Sequence, residues 1–254
     1  MALFSGLALF LSFPKFGSGI LAWVALIPLF YALQDAKPWE GFKTGFLTGM
    51  VAHVGILYWI SHVVVQYGHL SVYMGIMAML LLSAYLSLYT ACFAMGVVFL
   101  WRSGGLLFLT APLLWTILEF ARSHLFTGFP WEELAYSQYL YENIIQIADI
   151  TGIYGISFVL VMTSAVLYNL LTLRFREKYF LAEIGILFVV IAAVYGYGHF
   201  RTAEIRESLQ KKSSFEAALV QGNIDQNIKW NDRYQMQTID IYSSLSLRSI
   251  LAEN

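Results

Sequence analysis

Apolar runs follow one another through most of this chain, separated only by short polar breaks. Read between those breaks, seven spans are predicted, at residues 2–13, 18–33, 42–60, 71–101, 106–125, 155–173 and 180–199. In lipid, a backbone has no water to satisfy its polar groups, and a helix satisfies them within one segment. The fold class expected is therefore an α-helical multi-span membrane bundle. The first run is thin for a bilayer, which needs about 20 residues, and it shows neither a basic leader nor a small-residue cleavage site. The fourth is long enough to tilt or to project. Residues 143–150 are apolar but carry Gln146 and Asp149, which suits a helix at the membrane interface.

Charge divides the chain. Asp, Glu, Lys and Arg make up 12% of the residues, and 17 of the 31 lie before residue 200 while 14 crowd into the rest. A soluble domain carries about a quarter, so residues 1–199 read as the membrane domain, 200–214 as a linker and 215–254 as a water-facing segment. The net charge of −1 offers no basic stripe for phosphates and excludes a nucleic-acid partner. Loops after the second, fourth and sixth spans hold Lys37, Lys43, Arg102, Arg174, Arg176 and Lys178, against only Lys15 and Arg122 on the other side. By the positive-inside rule the N-terminus is cytoplasmic, and the loop at 126–142 and the tail are periplasmic. The tail reads as one strand, 215–221, and one helix, 231–253, which cannot bury a core of their own.

Few residues suggest chemistry. Cys92, the only cysteine, lies mid-span in apolar surroundings, which suits packing rather than a thiolate. The five histidines have no metal-ligand spacing, and neither a metal nor a cofactor is expected. Gly41, Gly45 and Gly49 form a stripe for close helix approach. Glu119 and Arg122, at i and i+3 near the end of the fifth span, are spaced to pair, and ionisable groups there are costly enough to merit a role.

Three stretches resemble the bacterial apolipoprotein N-acyltransferases. One is Ala84-Tyr85-Leu86-Ser87-Leu88-Tyr89-Thr90. The second joins Glu119-Phe120-Ala121-Arg122 to Thr127-Gly128-Phe129-Pro130-Trp131 and Tyr136-Ser137-Gln138. The third is Ala218-Leu219-Val220-Gln221-Gly222-Asn223-Ile224, then Gln226 and Lys229-Trp230. The likeness runs along the whole chain, with departures at Ala135, Asp225 and the pair Glu132-Glu133.

The resemblance implies a membrane bundle carrying a periplasmic nitrilase-like α/β sandwich, of which the tail would be the start. It implies a phospholipid acyl donor and, as acceptor, the α-amino group of the diacylglyceryl-cysteine that begins an apolipoprotein. Transfer would pass through a Cys thioester helped by a Glu base and a Lys. By the same resemblance none of those three lies in this sequence, so this chain alone is expected to be inactive. It places Trp230, Phe129, Trp131, Tyr136 and Gln138 where substrates approach, and Glu119, Arg122, Pro130, Gly222 and Asn223 in structural positions near the site. The alternative is a non-enzymatic membrane module that binds lipid or lipoprotein, or one half of a split enzyme completed by a separately encoded nitrilase-like chain. Half of a small transporter is a weaker reading, because no inverted repeat is visible.

Overall fold

Glycine spacing decides the tightest helix pair of the bundle. In the computed structural model, which describes residues 1–14, 16–172, 179–213, 215, 217–229 and 231–252, helix α3 (Pro38–Ile56) lies along α5 (Val72–Arg102). Gly41, Gly45 and Gly49 all face α5; a Cβ on Gly45 would come within 2.5 Å of Ala94 and of the Thr90 carbonyl. Pro38 starts α3, and the backbone N–H of Lys37 donates to Glu40 at 2.7 Å, satisfying a free helix end.

The remaining helices are α1 (Ala2–Ser12), α2 (Ile27–Leu33), α4 (Tyr58–Gln66), α6 (Leu107–His124), α7 (Glu142–Ile145), α8 (Ala148–Leu171) and α9 (Phe180–Gln210). Three of the described helices, α5, α8 and α9, are long and apolar enough to cross a membrane, and a fourth span results if α3 and α4 count together. The seven expected runs are thus not seven straight helices. The run at 18–33 folds as a 3₁₀ turn (Gly19–Trp23) followed by α2, with Pro28 in the first turn of α2 where its missing N–H costs nothing. The run at 42–60 bends by 50° between α3 and α4, next to Gly55, whose missing side chain leaves room for the Phe10 ring. Helix α6 has only 18 residues and carries Glu119 and Arg122 in its last turns.

The core lies where α2, α5 and α8 meet. Leu26, Leu29, Phe30 and Leu33 pack on Phe93, Ala94 and Val97 and on Leu160, Ala165 and Tyr168, all of them buried. Lipid is as apolar as these side chains, so close packing and internal hydrogen bonds hold such a core more than water exclusion does. The polar ties are visible: Ser164 Oγ donates to Trp23 O at 2.8 Å, Tyr168 OH to Gln34 at 3.0 Å and Asn169 Nδ2 to Glu183 at 2.8 Å. Ser5 Oγ donates to Ala25 O. Cys92 is not packed inside, contrary to expectation; it sits on the exposed side of α5.

The chain divides into two compact units, Met1–Glu207 and Ser208–Asn254. Helix α9 runs on to Gln210, through most of the expected linker. The second unit contains α10 (Gln226–Lys229), a 3₁₀ turn (Asp232–Tyr234) capped by Asn231, and α11 (Gln235–Ala252), close to the helix expected at 231–253. The described residues of 215–221 form no strand, since a strand requires ladder hydrogen bonds to a neighbour and no described residue supplies them. Gly222 packs against the Tyr242 ring, and Asn223 takes the left-handed conformation with φ 46° that asparagine tolerates. Trp230 lies outside the described residues, as does the charged loop with Arg174, Arg176 and Lys178.

Candidate functional site: a pinned loop over a buried polar cavity

Past the end of α6 the backbone makes a turn that most side chains would block. Phe126, Thr127 and Gly128 all have positive φ, and a Cβ on Gly128 would collide with the Ser123 carbonyl, so glycine is required there. Phe129 N then donates back to Arg122 O at 2.9 Å, closing the turn.

From there the loop folds onto the bundle through a set of buried hydrogen bonds. Leu134 N donates to Glu119 Oε1 at 2.7 Å, and Ser123 Oγ donates to Glu133 Oε1 at 2.8 Å. Ala135 N donates to Ser157 Oγ on α8 at 3.1 Å. Gln138 is fully buried; its Nε2 donates to Gly19 O at 2.8 Å and its Oε1 accepts from Trp23 Nε1 at 3.0 Å. The loop is thereby tied to α6, to α8 and to the first 3₁₀ turn.

Its other side faces outward. Trp131 is 64% exposed and its ring lies 5.7 Å from that of Trp59, while Phe126 is 85% exposed and meets the edge of Tyr85 at 6.3 Å. Pro130 and Tyr136 are also exposed, with Tyr136 OH donating to Pro130 O at 3.2 Å, and Phe129 is half-buried. Tyr85 OH also lies 2.8 Å from Tyr89 OH, one turn further along α5.

Beneath the loop is a cavity of about 40 Å³ lined by His53, Tyr89, Phe93, Glu119, Arg122 and Glu132, among others. Among the described residues no ion pair joins Glu119 to Arg122, although the spacing anticipates one; the loop backbone takes one Glu119 oxygen instead. Sequence reasoning missed the partner that does reach in. Glu132 projects from the loop so that its Oε2 lies 3.3 Å from His53 Nε2, both side chains being buried. The pair Glu132-Glu133 is noticeable in sequence only as two acids inside an otherwise aromatic turn.

Proton placement follows from the neighbours. Ser87 Oγ spends its hydrogen on Ser83 O at 2.6 Å, so at 3.2 Å it accepts from His53 Nδ1–H. His53 Nε2 and Glu132 then share one proton between them. Burial pushes the Glu132 carboxyl up to about 8, against the pull of the Arg122 charge and with Glu133 adding to the rise. At neutral pH that puts the proton on Glu132. Among the described residues no group of three His, Cys, Asp or Glu side chains is placed to hold a metal ion.

Residues 5–166 match the family described as apolipoprotein N-acyltransferase N-terminal domain. The chain is 41% identical over 255 residues to the apolipoprotein N-acyltransferase of Geobacter metallireducens, a match covering 99% of this chain and 48% of that protein. It is 32% identical to the apolipoprotein N-acyltransferase of Pasteurella multocida and 31% to that of Haemophilus influenzae, each match covering 96% of this chain and 46% of the relative. The chain therefore spans about half the length of the curated relatives it matches.

Proposed function

Because the chain belongs to the apolipoprotein N-acyltransferase family through the N-terminal domain, we propose that it forms the membrane part of such an enzyme. The reaction proposed is transfer of an acyl chain from a phospholipid to the free α-amino group of a diacylglyceryl-cysteine, completing a bacterial lipoprotein. In this reading the chain crosses the inner membrane seven times, its short and broken helices included, with the N-terminus cytoplasmic and the loop at 126–142 periplasmic. Residues 215–254 begin a nitrilase-like sandwich. The acyl-carrying Cys and its Glu and Lys are supplied from outside these 254 residues.

The observation that carries the proposal is the loop between α6 and α7. Its buried side is fixed at Glu119, Ser157, Gly19 and Trp23, while Trp131 and Tyr136 are held outward. Aromatic side chains with one polar edge suit the boundary between headgroups and acyl chains. We assign Phe129, Trp131 and Tyr136 to the membrane-side mouth that acyl chains cross. Gln138, Glu119, Arg122 and Pro130 hold that mouth in shape; in the tail, Trp230 is assigned to substrate entry and Gly222 and Asn223 to structural support. A site there lets both lipid substrates keep their tails in the bilayer while their reactive ends meet at its surface.

The test is photolabelling of the purified chain in nanodiscs with a phospholipid bearing a photoactivatable acyl chain. Labels concentrated in peptides covering residues 126–140, with no acyl group covalently held by Cys92, are expected. Labels spread evenly over the outer faces of α5 and α9, or an acyl thioester on Cys92, would overturn it.

A further inference from the structure

Docking of the loop leaves polar groups unspent inside the cavity. Nε and Nη2 of Arg122, Oε2 of Glu119 and Oε1 of Glu132 have no hydrogen-bond partner among the described residues. The three residues are only 5%, 3% and 5% exposed, so bulk solvent does not reach these atoms. Each buried polar group left unsatisfied costs about 1–3 kcal/mol, more if charged, and four together would consume much of a domain's stability.

Size and chemistry decide what meets them. A water needs about 10–15 Å³. A cavity of about 40 Å³ therefore holds roughly three waters and is too small for a lipid headgroup. The Nε and Nη2 atoms form one edge of the guanidinium, and an oxyanion could bridge that edge. An oxyanion, however, has no hydrogen to donate to the Glu119 and Glu132 oxygens left without a donor. Water both donates and accepts, and it satisfies the two kinds of group at once.

We propose that the cavity beneath the loop holds a cluster of about three ordered waters bridging Arg122 to Glu119 and Glu132. This hydrated junction couples the loop to α6 where the residue spacing alone would place a direct ion pair. The inference stands apart from the acyltransferase reading, since it concerns what fills the cavity and not what the loop admits.

Hydroxyl-radical footprinting of the chain in nanodiscs tests it, because bound water is a local source of radicals. Phe93 lines the cavity at 1% exposure, and Tyr168, 0% exposed in the core, does not line it. Phe93 is expected to be oxidised several-fold faster than Tyr168, although a phenol is intrinsically more reactive than a phenyl ring. Glu132→Gln, which keeps polar atoms in place, should preserve the Phe93 signal, and Glu132→Leu should reduce it several-fold. Tyr168 reacting faster than Phe93 in the unaltered chain would overturn the proposal without recourse to any variant. Protection of Phe93 by millimolar phosphate would overturn it too, in favour of an anion site.

Discussion

The carboxyl group of Glu119, in the last turns of α6, accepts the backbone N–H of Leu134 at 2.7 Å, joining the helix to the loop that leaves it. This bond gives a polar side chain near the membrane interior a buried partner. Leaving a buried N–H without its acceptor costs about 1–3 kcal/mol. Glu119→Ala is therefore expected to lower stability by about 2 kcal/mol, read as a fall in Tm in detergent, and to open the loop to protease. Glu119→Gln keeps an acceptor for Leu134 and should lose less; equal losses for the two variants would contradict the assignment.

Gln138 closes the loop from its far end by bonding Gly19 across 119 residues of sequence. Gln138→Ala strands the Trp23 N–H and the Gly19 carbonyl, at about 1–3 kcal/mol for each group that water cannot reach. The expected result is a larger loss of Tm than for Tyr136→Phe, which removes one exposed bond to Pro130. A comparable Tm for both variants would show that the Gln138 pin does not hold the loop.

Gly128→Ala tests the turn itself. The added methyl meets the Ser123 carbonyl and the residue must hold φ 78°, so the turn either strains or refolds. Faster proteolysis confined to residues 125–140, with α5 and α8 still protected, is the expected pattern.

Glu132 makes the docked loop sensitive to pH. Its carboxyl rises from the ordinary value of 4.5 to about 8, so the folded state binds that proton more tightly than the unfolded one. The contribution is fully present below 4.5 and is lost as pH rises through 8, by about 1.4 kcal/mol per pH unit between those limits. Loop protection should weaken over that window in the unaltered chain, and Glu132→Gln should flatten the dependence. A pH profile unchanged by Glu132→Gln would remove Glu132 as its source.

Much of this architecture is legible in the sequence, for definite reasons. Helix positions follow from apolar runs, and the Gly41, Gly45 and Gly49 stripe from its four-residue spacing; each is a local property. Breaks inside spans are harder to read, because the turn before α2 and the bend at Leu57 depend on tertiary neighbours such as Ser5, Ser164 and Phe10. Glu119 and Arg122 are conspicuous as charges in an apolar run. Their partners are not, since the Leu134 N–H reaches Glu119 only after the Gly128 turn folds the chain back. The contact of His53 with Glu132 joins α3 to a loop far along the chain, and no local pattern announces it.

The most direct test of the central claim is a fusion in which these 254 residues replace the matching half of the Geobacter metallireducens relative. The fusion would be expressed where the host's own N-acyltransferase is depleted, and the N-terminal peptide of a lipoprotein weighed by mass spectrometry. The expected product is a peptide heavier by one amide-linked acyl chain, lost with Gln138→Ala. A fusion that inserts in the membrane and folds, yet leaves the cysteine amine free, would contradict it.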